Sequence, residues 1–362
     1  MTGLYVHVPF CESKCPYCAF ASAVKERGDE ERYLEALLAE ISFRRRGDLA
    51  PETVYVGGGT PTTLSAAAWL RLSAALRPFL PAPGGEVTVE ANPGALSKEH
   101  LKLWRGWVSR ISLGVQSFDD RELSFLGRVH DARQAADAAL MCKSAGFELS
   151  LDLMFGLPGQ TLRDWAGTLS RAVSLGVSHI SVYQLSLEPG APFSEKNLLL
   201  PDGYRPYRYA QWYLTRKGYG QYEVASFARP GCESAHNLNY WDDGEYLGLG
   251  PSAWSCLGGT RSQNAPSLGE YCRLLRERGS AVVYEERLAP GPAARQAAIL
   301  ALRATRGIDW RKFEEKHGEV FKDEVKKKLQ RFPEYLVRVG DSSASLTPRG
   351  LRVANRIWEE II

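Results

Sequence analysis

The sequence has no apolar run that approaches the roughly 18 residues of a membrane-spanning helix, so no transmembrane segment is expected. Charge of one sign is also nearly missing. Lys and Arg total 45 against 42 Asp and Glu, a formal net charge of +3. That is too weak to imply nucleic acid by itself. A disulfide framework is absent as well: the seven cysteines are an odd number, and Cys142, Cys232, Cys256 and Cys272 are scattered. This usage fits a reducing cytoplasm. The chain opens on strand-like Leu4-Tyr5-Val6-His7-Val8, which leaves no signal peptide to expect. Its 362 residues, 44 % apolar and 24 % charged, suffice for one large domain and a smaller one.

The other three cysteines are crowded. Cys11, Cys15 and Cys18 fall within Phe10-Cys11-Glu12-Ser13-Lys14-Cys15-Pro16-Tyr17-Cys18-Ala19-Phe20, at the spacing C-x3-C-x2-C. A closed zinc site needs four ligands, and no fourth Cys or His follows nearby. A [4Fe–4S] cluster normally takes four Cys, so three would leave one iron open to a substrate or cofactor. Three buried structural thiols are the plainer alternative, but such thiols seldom cluster beside a polar Glu-Ser-Lys triplet. C-x3-C-x2-C resembles the signature of the radical S-adenosylmethionine (SAM) family. That resemblance implies an open iron that chelates the methionine part of SAM and an electron that cleaves it to a 5′-deoxyadenosyl radical.

Strand-like and helix-like stretches alternate through the first 185 residues or so. Strands are expected at Leu4 to Val8, Thr53 to Val56, Glu86 to Glu90, Arg110 to Leu113, Glu148 to Leu153 and His179 to Leu185. Helices are expected between them, including Glu30 to Arg44, Ser65 to Leu76 with Ser65 as N-cap, Ala132 to Ala145 and Arg163 to Leu175. Six β-α repeats argue for parallel strands with helical crossovers. The informative glycines and polar residues sit just after the strands, which favours a partial (β/α)6 TIM-type barrel over an open sheet. The radical SAM resemblance implies the same α/β architecture. From about Pro201 the periodicity fades; Tyr204 to Thr215 reads as helix, and Gly218 to Gly250 as loop-heavy. A small α+β module follows. Its helices are expected at Ala293 to Thr305, Asp309 to Lys316 and Glu319 to Gln330, its hairpin at Tyr335 to Val339 and Ser343 to Leu346, and its closing helix at Pro348 to Ile361. This resembles a winged helix-turn-helix, although Asp323 and Glu324 interrupt its basic run and favour a solvated face over DNA binding. The expected domains are 1–205, 206–285 and 286–362.

Polar residues after the strands form the candidate ligand shell. Gly57-Gly58-Gly59-Thr60-Pro61 can bring backbone close to a ligand. Glu90 ends the third strand, and its carboxylate can accept from ribose hydroxyls. Gln116, Arg128 and Asp152 follow the next strands, and together on one barrel face they read as one ligand shell. The stretches Tyr5 to Cys11, Gly57 to Pro61, Gly114 to Phe118, Gly127 to His130 and Asp152 to Pro158 are similar to the oxygen-independent coproporphyrinogen III oxidase (HemN) group. By motif, this resemblance implies SAM contacts at Tyr5, Tyr17, Gly58, Gly59, Thr60, Glu90, Gln116, Arg128, Asp152, Ser186 and Trp254.

Two departures from the oxidase pattern redirect the function. The oxidase motif continues C-x3-C-x2-C-x-C, and here Phe20 takes the last position. With Tyr5 so near the first residue, the oxidase's N-terminal arm is also not expected here. A third feature, His236-Asn237-Leu238-Asn239-Tyr240-Trp241, matches H-N-x-x-Y-W, which the haem-chaperone branch of the group carries. Read alone, the string describes a loop histidine that caps nearby backbone beside two packed aromatics. With Phe20 and the missing arm it implies haem, with His236 as an exposed axial ligand, Tyr240 and Trp241 against the porphyrin, and Cys232 as an alternative thiolate. The expected protein is a cytoplasmic chaperone that binds a [4Fe–4S] cluster, SAM and haem. It would hand haem to apo-haemoproteins, and it needs an electron donor if SAM is cleaved. The alternative is the oxidase itself, which decarboxylates the propionates of its porphyrinogen to vinyl groups.

Overall fold

Each strand of the first half alternates between two faces, and that alternation decides what the barrel holds. The structure is a computed structural model, which describes residues 2–44 and 50–362. Six strands, β1 (Thr2–Val8), β2 (Thr53–Gly58), β3 (Glu86–Ala91), β4 (Arg110–Gln116), β5 (Glu148–Phe155) and β6 (His179–Gln184), pair in parallel in chain order. One face is apolar: Val6, Val54, Val89, Leu113, Leu151 and Val182 are buried in the main core. The helices Asp29–Arg44, Ala66–Leu76, Ala132–Ser144 and Leu162–Ser174 supply the other half of that core through Leu34, Leu37, Trp69, Leu72 and Trp165. The opposite face carries Tyr55, Thr88, Ser112, Ser150, Ser181 and Tyr183, and these line an internal cavity instead. The expected partial barrel is therefore present, with a polar bore. Ser65 caps its helix as expected, its hydroxyl accepting the Ala68 N–H.

The loop expected over Gly218 to Gly250 needs correction. It holds β7 (Gly220–Gln221), β8 (Ser226–Ala228), the helix Ala235–Trp241 and β9 (Glu245–Leu249). β9 pairs in parallel with the free side of β1, so the sheet has a seventh parallel strand. Its apolar signal is only Leu247 and Leu249, bracketed by glycines, which is too short to stand out as a period. β10 (Trp254–Leu257), β11 (Thr260–Asn264) and β12 (Val282–Arg287) extend that edge antiparallel, and β8 and β7 extend the other, for twelve strands. β12 runs across the boundary expected at 286. A buried carboxylate ties this added edge to the first helix. Glu40 accepts the Gly250 N–H at 2.8 Å, the Tyr271 hydroxyl at 2.6 Å and the Asn264 amide at 2.7 Å.

A second core forms around Ala298, Leu302, Trp310, Val325, Leu329 and Ile357. Helices Pro290–Ala301, Trp310–His317 and Glu319–Leu329 alternate with β13 (Ile308–Asp309), β14 (Val337–Val339) and β15 (Ser343–Leu346) in winged-helix order. The single closing helix expected from Pro348 is two, Pro348–Leu351 and Ala354–Glu359, because Val353 leaves helical backbone between them. On the basic helix, Lys322 pairs with Glu314 at 2.7 Å and Lys328 with Glu324 at 3.5 Å.

Candidate functional site

The cysteine loop follows β1, and contacts from several other strand ends clamp it. The Cys18 N–H donates to the Cys15 carbonyl at 3.0 Å and closes a turn. The Phe193 N–H donates to the Pro16 carbonyl at 2.8 Å, and the Thr60 N–H to the Phe10 carbonyl at 2.6 Å. Arg128 Nη1 lies 3.4 Å from both Cys15 Sγ and the Tyr17 hydroxyl, while its Nη2 donates to the Gly114 carbonyl at 2.8 Å. Cys11, Cys15 and Cys18 are all half-exposed free thiols on one cavity. Burial raises the Cys18 thiol, and the neighbouring thiols raise it further. Among the described residues no three His, Cys, Asp or Glu groups gather tightly enough for one metal ion. A four-iron cluster places each thiolate on a separate iron, so its three cysteines need not converge on one point.

The cavity, about 560 Å³, starts at this loop and runs down the bore to Ser234 and Asn237. Tyr17, Gly58, Gly59, Thr60, Glu90, Gln116, Arg128, Asp152 and Ser186 all line it. Glu90 accepts the Tyr55 hydroxyl at 2.7 Å and the Gly58 N–H at 3.0 Å. Desolvation pushes its pKa up to about 7. Tyr55 and Gly58 oppose that rise, and the charge of Asp152 adds to it. Asp152 is raised for the same reason, against the Ser112 hydroxyl that donates to it at 2.9 Å. Gln116 stands at φ 69°, left-handed for a residue with a side chain, beside a register shift in β4. Such strain concentrates where a structure presents side chains to ligands. Two buried polar atoms on the wall, Arg128 Nε and Thr88 Oγ1, have no protein partner.

The glycines have a second cause. A Cβ on Gly58 (φ 110°) would meet the His7 ring at 2.5 Å, and one on Gly59 would meet the Phe10 carbonyl at 2.5 Å. The protein's own packing therefore demands them before any ligand does.

Other expected residues lie elsewhere. Tyr5 and Trp254 do not line this cavity; they face a second one. The Tyr5 hydroxyl turns to His7 Nδ1 at 3.0 Å, and Trp254 starts β10, outside the six-unit barrel. The His236 motif is corrected more sharply, since it is a helix packed on the N-terminal strand ends and not an exposed loop. Glu86 at the start of β3 accepts from the Ala235 and His236 N–H groups and from the Ser234 hydroxyl. His236 is 1 % exposed. Its Nδ1 shares a hydrogen bond with Thr53 Oγ1 at 2.8 Å and its Nε2 with the Tyr240 hydroxyl at 2.9 Å. Both ring nitrogens are engaged and burial lowers the pKa to about 3, so the ring is neutral. Trp241 stacks under Arg303, 4.3 Å from its ring centroid, against the C-terminal module. The Cys232 carbonyl accepts from Arg110 Nη1 at 3.1 Å.

Motif reading also missed the wall of the bore. Arg110, His179 and the hydroxyls of Ser112, Ser150 and Ser181 belong to it. Their signal was the period of two: Thr88 to Glu90, Ser112 to Gly114, Ser150 to Asp152 and Ser181 to Tyr183 put polar or small residues on one face of four successive strands.

Known proteins resemble the chain in sequence and fold. A profile described as the radical SAM superfamily matches residues 5–172. The "Heme chaperone HemW" of Bacillus subtilis (strain 168) is 34 % identical over 99 % of this chain and 98 % of its own. The "Heme chaperone HemW" of Escherichia coli (strain K12) is 40 % identical over 69 % of each chain. The solved structure of coproporphyrinogen III oxidase (HemN) from Escherichia coli, described as a radical SAM enzyme, superposes with a TM-score of 0.86 at 27 % identity, over 99 % of this chain and 89 % of that one. The chain belongs to the HemN/HemW group of the radical SAM superfamily.

Proposed function

We propose that this protein is a haem chaperone that carries a [4Fe–4S] cluster and SAM at the barrel mouth and transfers haem to apo-haemoproteins. The observation that carries the reading is likeness to a haem chaperone along the whole chain, 99 % of it. Phe20 supports it, standing where the oxidase pattern has a fourth cysteine.

The cavity fits the cofactor pair chemically. Cys11, Cys15 and Cys18 would hold three irons. SAM has an amino group, a carboxylate, a sulfonium and ribose hydroxyls, so it brings both donors and acceptors. Glu90 and Asp152 are carboxyls raised by burial, and each gains from a donor or a cation placed beside it. Arg128 Nε and Thr88 Oγ1 gain partners. Bound there, cluster and SAM supply reductive radical chemistry. The residues of this chain position the pair. An electron donor is required only if SAM is cleaved. A cytoplasmic setting suits seven free thiols.

The oxidase is the second reading, favoured by the TM-score of 0.86 to HemN. Anaerobic protein with reconstituted cluster, SAM and reductant, given coproporphyrinogen III, separates the two. The chaperone reading expects no turnover, and it expects haem to pass from the loaded protein to an apo-haemoprotein. Protoporphyrinogen formed over many turnovers would overturn it.

A further inference from the structure

The second cavity, about 660 Å³, is larger than the first and adjoins it. Ala19 and Phe20, just after Cys18, line both. Its far side is made by Trp254, Cys256 and Arg261 on β10 and β11, and Leu300 of the C-terminal module closes it. The motif reading gave Tyr5 and Trp254 to SAM and Tyr240 to haem, and all three line this cavity.

Three observations mark it as a site. The first is exposed aromatic surface: Phe20 is 68 % exposed and Trp254 40 %. Two large apolar faces left open to water around a cavity signal a missing partner. The second is backbone strain. Three non-glycine residues among those described have positive φ; Gln116 lies in the cofactor cavity, and Asp243 (51°) and Ser252 (62°) both line this one. The third is charge. Asp243 is neutralised by Lys316 at 2.6 Å, while Arg261, cross-strand neighbour of Cys256, adds a cation to the wall. Flat aromatic faces, a cation for a carboxylate and a volume in the range of small-ligand pockets describe a planar, anionic aromatic ligand.

We propose that haem binds in this second cavity, between Phe20 and Trp254, with a propionate on Arg261 and the Cys256 thiolate on the iron. The proposal rests on the haem-chaperone reading and places its cargo. The ligand follows from what is free. His7 is the imidazole on this wall, and both its nitrogens are engaged, with the Tyr5 hydroxyl and with the Ala21 carbonyl at 2.8 Å. His236 reaches the cavity only through Tyr240, which it holds by hydrogen bond. Cys256 is half-exposed and is the thiol on the wall. A cysteine thiolate is an established haem ligand type. Haem seated here would touch the segment that follows Cys18, so occupancy of one cavity is felt in the other through Ala19 and Phe20.

Ferric haem titrated into the cluster-loaded protein tests this. Trp254→Ala and Cys256→Ser are each expected to weaken binding tenfold or more, and Cys256→Ser to move the Soret band, with iron content of the cluster unchanged. In the intact parent, haem is expected to slow alkylation of Cys256, followed by mass spectrometry, at least fivefold, and SAM is not. A parent that binds no haem overturns the chaperone reading and this site with it. A parent that binds haem while both variants keep its affinity and spectrum overturns the site alone. Protection of Cys256 by SAM in place of haem also overturns it.

Discussion

The two ends of the barrel carry the two sequence motifs and treat their polar side chains in opposite ways. At the C-terminal strand ends, three thiols, two raised carboxyls and an unpartnered Arg128 nitrogen face a cavity. At the N-terminal ends, His236 is engaged at both ring nitrogens and Glu86 accepts three donors at the start of its helix. Unmet polar groups in a cavity favour a ligand, and satisfied buried ones favour a fixed fold. A motif's chemistry thus depends on which of its atoms are still free. This is also how barrels divide their labour, with function at the C-terminal face and stability at the other.

The largest test removes a thiol. Cys15→Ala leaves two ligands on the loop, and reconstituted iron and the visible charge-transfer absorbance are expected to fall together to a small fraction of the parent's. Far-ultraviolet circular dichroism should not change, because Cys15 is half-exposed and outside the core. Retention of four irons would erase the distinction between the two ends.

The converse test is His236→Ala. It strands Thr53 Oγ1 and the Tyr240 hydroxyl and opens a hole where the imidazole stacks on Tyr55. Loss of two buried hydrogen bonds plus a cavity is expected to cost about 3 kcal/mol in urea unfolding. Cluster iron should be untouched. If stability holds while haem binding collapses, His236 is a ligand after all and the bottom of the barrel is a binding site.

The same contrast explains what was legible in the chain. Strand periodicity and the C-x3-C-x2-C spacing are local signals, so the six β-α units and the thiol loop could be read directly. Part of the cavity lining was legible as well, because Gly58, Glu90, Gln116 and Asp152 lie on strands of the barrel, whereas Tyr5 and Trp254 lie outside that cavity. What could not be read is partnership across distance. That His236 meets Thr53, that Glu40 holds the Gly250 turn, and that Leu247 and Leu249 make a seventh parallel strand all depend on contacts nearly two hundred residues or more apart. The glycines and aromatics around His236 suggest an exposed loop, but the imidazole itself is buried between Thr53 and Tyr240.

A smaller effect sharpens the upper end. Glu90→Ala is expected to weaken SAM binding by about 1.5–3 kcal/mol, the scale of hydrogen bonds to a charged group, as read by calorimetry on cluster-loaded protein. Cluster assembly should survive, since Glu90 bonds Tyr55 and Gly58 and none of the cysteines. Unchanged affinity would make it a structural carboxyl like Glu86.

The smallest effect is a pH dependence of the ligand-free protein. Burial raises the Glu90 pKa from its ordinary carboxylate value to about 7. A carboxyl raised on folding favours the folded state while protonated. That contribution is complete below the unfolded value near 4.3 and is lost as pH climbs through 7. Asp152 is raised too and acts in the same direction, and Tyr55 stays protonated throughout. His236 acts oppositely: its lowered pKa favours the fold at neutral pH, and that support is lost only in acid. Between pH 6 and 8 the ligand-free protein should therefore lose on the order of 1 kcal/mol more than Glu90→Gln, which keeps the shape but cannot ionise. Urea midpoints of the two proteins across that range measure the difference. Parallel curves would mean that Glu90 is already ionised in the empty cavity, and that the upper end of the barrel is as fully satisfied without its ligand as the lower end is.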